Sequence, residues 1–571
     1  MEQQIKWLWL GLLISSAGWL GYKWVDFQSQ VSTGKITIES IRANTQNQTA
    51  NNNTDTSIPS PNPTQANNNT QANTQPTDLP DIIPSKDSPS IEKSTNSIDN
   101  QFINIETDNF QILISLKGGT LSQLKLKKYP VSVQQKNVLT TLLKTGHRSY
   151  SLQSGLVSEQ ISANHHSQYK SPQNQYTLAE GQDTLTVPLT WEQDGIKITK
   201  IYIFKRNSHQ IQLTQTVENQ SDQTWQGSSY AQLSRAQPTE DGDTFIYTYT
   251  GSAWWSEQTG FEKIDFDEMA NESPTITAQD GWLAMIQHYF VSIIIPPKDQ
   301  ENYFYTKKSN NQYIIGTVSP QKIIAPQQNH QFQDQIFIGP KNQEELVIAH
   351  PELSYAVDYG IFHIIAAPIF WVLKHIYDFF GNWAIAIILV TVLIKLLFFK
   401  LSEKSYRSMA RMKLLAPRIQ QLRERYSDDK QGMNQKMMQL YKEEKVNPLG
   451  GCLPVLVQIP VFISLYWVLI ESVELRQAPF ILWIEDLTIA DPYFVMPIIM
   501  GITMFVQQRL NPPPADPMQQ KVMQFLPVIF TVFFLFFPAG LVLYWIVNNI
   551  LSISQQWYIT KKIEQEKKAS K

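Results

Sequence analysis

The sequence predicts a multi-pass α-helical membrane protein with six transmembrane helices and a large all-β domain on its outer side. Three observations carry that reading. The chain of 571 residues changes character near Glu352: the text before it is polar, and from Ile361 onward apolar runs of roughly 15–22 residues recur, close to the thickness of a bilayer's hydrocarbon core. Between about Phe102 and Gly339, apolar and polar residues alternate in many short runs. Lys and Arg gather in one loop between the apolar runs, which sets an orientation. Mean hydropathy is slightly negative only because the two halves average out. A formal charge of -3 gives no electrostatic pull toward nucleic acid, so no direct nucleic-acid recognition is expected. The single cysteine, Cys452, excludes an intramolecular disulfide and a cysteine-cluster metal site. With no P-loop and no HExxH, neither a cofactor nor a metal is expected.

Each element follows in order. "MEQQIKWLWLGLLISSAGWLGYKWV" has a weakly basic flank, an apolar centre and interfacial tryptophans. A cleavable signal peptide is the rival reading, but the bulky residues after the apolar centre offer no A-x-A site, so residues 1–25 read as a transmembrane anchor. Residues 26–100, rich in Asn, Thr, Gln and Pro, hold too little apolar surface to offset chain entropy and read as a disordered linker. Residues 101–340 read as a β-sandwich. In it "FQILISLKGGTLSQLKLKKYP" is a hairpin about a Gly-Gly turn, and "TLTVPLTW", "IKITKIYIFKR", "HQIQLTQTVEN" and "YFVSIIIPP" continue the strands. Its histidines, His165, His166, His209 and His288, show no ligand spacing and read as surface or core residues.

Residues 358–380 are apolar but interrupted by His363, Pro368, Lys374, His375 and Asp378, and read as an interfacial amphipathic helix in which Lys374 pairs with Asp378 one turn on. Residues 381–560 hold five candidate spans: Trp383–Phe399, Cys452–Val473, Pro492–Leu510, Met523–Phe537 and Gly540–Ile559. The loop Lys400–Lys445 carries 12 Lys and Arg against 6 acids and is expected in the cytoplasm, as is the basic tail 561–571. The acidic loop "ESVELRQAPFILWIEDLTIAD" is expected outside, with Glu471 and Glu474 at the interface. Alternation then leaves both termini cytoplasmic. Within residues 400–447, apolar residues at helical spacing (Leu415, Ile419, Leu422, Tyr426, then Met433, Met437, Tyr441) predict a helical hairpin. Met433, Met437, Arg423 and Arg425 are its candidate contact residues, although a hairpin needs an apolar seam whatever it binds.

"ILVTVLIKLLFFK" places Lys395 inside a span, at a cost of about 2.5–3.5 kcal/mol on insertion scales. Snorkelling is one reading, since the ammonium has roughly 7 Å to climb. The other is a water-filled cavity between helices, and its neighbours favour it. Thr391 lies one turn away on the same face, Gln458 interrupts another span, and Tyr544, Trp545 and Asn548 enter from the last. Scattered helix–helix hydrogen bonding would account for some of these groups as well.

At "DDKQGMNQKMMQLYKEEKVNPLGGCLPVLVQIPVF", "SVELRQAPFILWIEDL" and "DPMQQKVMQFLPVIFTVFFLFFPAGLVLYWIVNN" the chain resembles the YidC membrane protein insertase family, densely from about Asp358 to Tyr558. The anchor, tether and outer β-domain match its Gram-negative layout. The resemblance implies a periplasmic β-supersandwich and an insertase core of five helices about a hydrophilic groove, open to cytoplasm and lipid. The family's usual groove arginine falls at Lys395, which keeps the charge but not the planar fork. Its substrate-contact positions fall at Thr391, Tyr544 and Trp545. It implies a function of inserting and helping to fold inner-membrane proteins, alone or with the Sec translocon and its accessory proteins, without enzymatic chemistry. Implied partners are nascent inner-membrane proteins, the translating ribosome, targeting factors and the lipid bilayer. A channel or transporter, and a membrane-tethered carbohydrate-acting β-domain, are the alternative readings.

Overall fold

A computed structural model describes residues 101–237, 248–426, 429–444, 453–511 and 517–569. The expected anchor and tether lie outside these residues. From Phe102 to Pro340 the chain forms two packed β-sheets, of eleven and eight strands. The hairpin expected about Gly118 and Gly119 pairs Phe110–Ser115 with Thr120–Pro130 antiparallel. Both glycines take positive φ (74° and 60°), where a Cβ is strained. At Gly118 a Cβ would also collide with the His165 carbonyl. In the larger sheet, Trp225–Ala236 lies between Tyr150–Val157 and Gln312–Val318. In the smaller, Thr184–Gln193, Ile196–Lys205 and Gln210–Asn219 form an antiparallel meander that continues through Asn329–Pro340 to Phe290–Ile295. Inward positions are Ile, Leu, Val and aromatic, among them Ile103, Leu124, Ile198, Phe204 and Ile336. Each such side chain contributes about 1.5–3 kcal/mol when fully buried.

Ten helices accompany the sheets among the described residues: α1 (Phe266–Asn271), α2 (Gln343–Ala349), α3 (His363–Phe380), α4 (Trp383–Leu397), α5 (Phe399–Arg425), α6 (Lys430–Glu443), α7 (Leu453–Glu471), α8 (Val495–Leu510), α9 (Pro517–Phe534) and α10 (Ala539–Ala569). Their breaks have local causes. Gly381 takes the left-handed conformation (φ 67°) and ends α3, and the Asn382 side chain then accepts from the Ile385 N–H to start α4. Asp429 caps α6 in the same way, accepting from Gly432. Near Phe398 the axis bends by 68° between α4 and α5.

α3 packs on α4 and α7, and α10 packs on α8, α4, α5 and α7. α8 and α9 turn Ile498, Ile502, Phe505, Phe525, Ile529 and Val532 outward, a contiguous apolar face of the kind that meets lipid. Of the described helices, only Gly360–Phe380 is unbroken, long and apolar enough to cross a bilayer alone. Gln458–Glu471, Val495–Leu510 and Gln520–Phe534 are shorter apolar segments.

The two halves share one hydrophobic core. Trp282, Val291 and Phe337, on the outer face of the smaller sheet, join Leu353 and Tyr359 of the connector and Phe370, Leu465 and Val468 of the helices. Here the structure departs from the sequence reading: Glu471 and Glu474 do not sit at an aqueous interface. Glu471 is buried in an ion pair with Lys341 of the β-domain (2.6 Å), and Glu474 accepts from the Gln343 N–H (3.2 Å). Arg476 donates to the carbonyls of Pro130 and Val131, and the His288 ring meets the Ile470 carbonyl at 2.9 Å. The start of a loop that looks exposed by its charge is covered by the β-domain, while Leu482 and Glu485 further along it stay exposed.

Candidate functional site

α4 and α10 position the central group. Lys395 is only 8% exposed, and its Nζ donates to Ser552 Oγ at 2.8 Å. Ser552 in turn donates to the Asn548 carbonyl one turn back (2.7 Å). Among the described residues Lys395 forms no ion pair, and Ser552 is its one hydrogen-bond partner. Thr391 is buried one turn from Lys395 and donates to the Ile387 carbonyl (2.6 Å), so its hydroxyl is committed to its own helix.

An aromatic group lies further along α10. Tyr544 is buried and stacks on Phe462 of α7 (centroids 5.9 Å apart), while Trp545 packs against Phe462 (5.0 Å) and Phe534 (5.8 Å). The Trp545 indole N–H is buried with no hydrogen-bond partner among the described residues. Gln458 is half-buried on α7, one turn before Phe462. Lys395 and the backbone of Asn548 are therefore joined through Ser552, and Tyr544 and Trp545 meet through Phe462. Neither linking residue was singled out from sequence. The signal for Ser552 was available: Tyr544, Asn548, Ser552 and Gln556 recur every four residues, which puts four polar groups on one stripe of the helix. Phe462, one apolar residue among many, carried none.

The hairpin of α5 and α6 buries Leu415 and Tyr441, leaves Met433 and Met437 half-buried and Arg425 exposed, and closes with an Arg418–Glu444 pair at 2.5 Å. The side chain of Arg423 is outside the described set. Lys374 meets Asp378 at 2.7 Å, as its spacing predicts, and also Glu344 of α2 at 3.1 Å. No group of three or more potential metal ligands occurs among the described residues. On the β-domain a cleft of about 840 Å³ is lined by Trp255, Asp280, Asp334 and His350, among others. Burial pushes the Asp334 carboxyl up to about 7.

Comparison with known proteins covers both halves. Residues 102–372 match the family described as YidC periplasmic domain, and residues 375–567 the family described as 60Kd inner membrane protein. The membrane protein insertase YidC of Nitrosococcus oceani is 51% identical over 469 residues, covering 81% of this chain and 86% of that one. That of Methylococcus capsulatus is 51% identical over 468 residues, with the same coverage. Among solved structures, an active YidC insertase with its first transmembrane domain resolved covers 79% of this chain and 91% of its own, at 16% identity and a TM-score of 0.37. A galactose mutarotase-like protein from Lactobacillus casei covers 42% of this chain and 99% of its own, at 9% identity and a TM-score of 0.29.

Proposed function

This chain belongs to the YidC membrane protein insertase family, and from that premise we propose how its helices move a substrate. It is an inner-membrane protein with a periplasmic domain; it inserts nascent membrane proteins and is not an enzyme. In our reading α4, α7, α8, α9 and α10 are the five core spans, the N-terminal segment is the sixth, and α3 lies in the interface. The ion cluster of Lys374, Asp378 and Glu344 supports that last placement, because it ties α3 to the β-domain side. Both termini and the hairpin then face the cytoplasm, where Met433, Met437, Arg423 and Arg425 receive substrate, ribosome or targeting factors. Sec partners meet the same protein within the membrane.

One observation carries the mechanism: Lys395 is buried among the helices against a neutral hydroxyl rather than a carboxylate. A cation held so keeps its attraction for a substrate's polar or acidic groups. Water and positive charge part-way across the membrane lower the desolvation barrier those groups meet. The short helices act in the same direction. A 16-residue segment such as Val495–Leu510 spans only about 24 Å, against about 30 Å of hydrocarbon, which favours a locally thin bilayer. The apolar segment of the substrate then leaves sideways into lipid, and its burial there drives the process. Thr391, Gln458, Tyr544, Trp545 and Asn548 line the route.

Site-specific photocrosslinking to a stalled nascent membrane protein tests the reading. Probes at Thr391, Tyr544 and Lys395 are expected to label it, and a probe at the exposed Leu393, on roughly the opposite face, is not. Equal labelling from all four, or none, would place the substrate's route elsewhere.

A further inference from the structure

We propose that Ser552 is a positioning residue that fixes the Lys395 cation and so sets the insertase's preference for acidic substrate segments; this rests on the groove reading above. A serine hydroxyl has one donor and two acceptor sites. The donor of Ser552 is spent on the Asn548 carbonyl at 2.7 Å, so toward Lys395 the oxygen presents only lone pairs. Its own backbone bond thereby holds it as an acceptor. An ammonium has three N–H donors. Lys395 gives one to Ser552, and among the described residues the other two meet no protein acceptor. Ser552 thus anchors the ammonium at depth without cancelling its charge. A carboxylate at position 552 would hold it equally well but neutralise it. An alanine would leave the flexible stem free to carry the ammonium to the cytoplasmic interface. The same node joins α4 and α10, and three residues on, Gln555 ties α10 to α5 by donating to the Phe399 carbonyl (3.2 Å). The position of the charge is therefore tied to how these helices pack.

The test uses the full chain in proteoliposomes and two versions of one substrate, with either Asp or Asn in the translocated segment. Ser552→Ala is expected to lower insertion of the Asp version roughly tenfold, the factor that matches one hydrogen bond of about 1.4 kcal/mol, and of the Asn version less than about twofold. Ser552→Thr, whose hydroxyl makes the same backbone bond, is expected to restore the Asp version. Equal loss for both substrates, or no loss, overturns the proposal by reducing Ser552 to packing. Lys395→Met separates this from the groove reading. If it leaves the Asp and Asn substrates indistinguishable from wild type, the groove reading fails. If it removes the preference while Ser552→Ala does not, only the role of Ser552 fails.

Discussion

Breaking one side of the Lys341–Glu471 pair is expected to cost far more than removing both. The two side chains are 1% and 2% exposed, lie 2.6 Å apart, and join the β-domain to the end of α7. Glu471 Oε1 has no hydrogen-bond partner among the described residues, so the pair is incompletely satisfied even when intact. Lys341→Met leaves the carboxylate buried without its ion partner, a loss of about 3–5 kcal/mol. The double replacement Lys341→Met with Glu471→Met puts two apolar chains of similar volume in a cluster that already holds Leu465 and Val468, and is expected within about 1 kcal/mol of wild type. For a domain of this size, about 2–4 °C accompanies each kcal/mol, so the single variant is expected to melt roughly 6–20 °C lower. The assay is thermal unfolding of the full chain in detergent, read by tryptophan fluorescence and run as a double-mutant cycle. A single variant that shifts by less than about 3 °C, or a double variant worse than either single, would refute the burial argument.

Further outcomes follow from individual residues. Gly118→Ala is expected to destabilise the β-domain by more than about 1 kcal/mol in denaturant unfolding, because it meets both positive φ and the His165 carbonyl. Asp334 binds its proton more tightly folded than unfolded, so its burial costs nothing at low pH and becomes destabilising as pH rises through about 7. Asp334→Asn is therefore expected to match wild type near pH 4 and to melt higher at pH 8, by at most the order of 4 kcal/mol; a constant difference across that range would exclude the linkage. Lys395→Arg keeps the charge and is expected to retain insertion of an acidic substrate within about twofold, the measure being protease-protected product in proteoliposomes.

The β-domain was legible because its strands alternate, and alternation is what a half-buried strand requires. "IKITKIYIFK" shows both the strength and the limit of that signal. Ile196, Ile198, Tyr202 and Phe204 face inward as the period demands, but so does Lys200, which is fully buried. Its Nζ donates to the Gly118 and Ser154 carbonyls at 2.6 and 2.8 Å. Alternation placed it inside, and only the fold shows what receives it. The helices were legible from apolar runs and their breaks from Gly381-Asn382. The docking of the β-domain on α7 was not, because Lys341 and Glu471 are 130 residues apart and each reads alone as a surface charge. In the candidate site the sequence pointed to the polar groups and carried the stripe that holds Ser552, while Phe462, and what each of these two residues joins, emerge only when α4, α7 and α10 are brought together.

Two buried lysines now stand in contrast. Lys341 has a carboxylate and belongs to the architecture; Lys395 has only a hydroxyl. A charge carried into a membrane helix costs about 2.5–3.5 kcal/mol on insertion scales, and one hydrogen bond from that ammonium to a hydroxyl, about 1.5–3 kcal/mol, offsets only part of it. A residue retained at net cost to stability is what a functional site looks like energetically. Lys395→Met is therefore expected to move two measurements in opposite directions: a higher melting temperature in detergent, and roughly tenfold less insertion of a substrate with an acidic translocated segment. Lower stability together with lower insertion would mean that Lys395 holds the helices together and that its loss of function follows from the fold. Higher stability with unchanged insertion would remove the cation from the mechanism altogether.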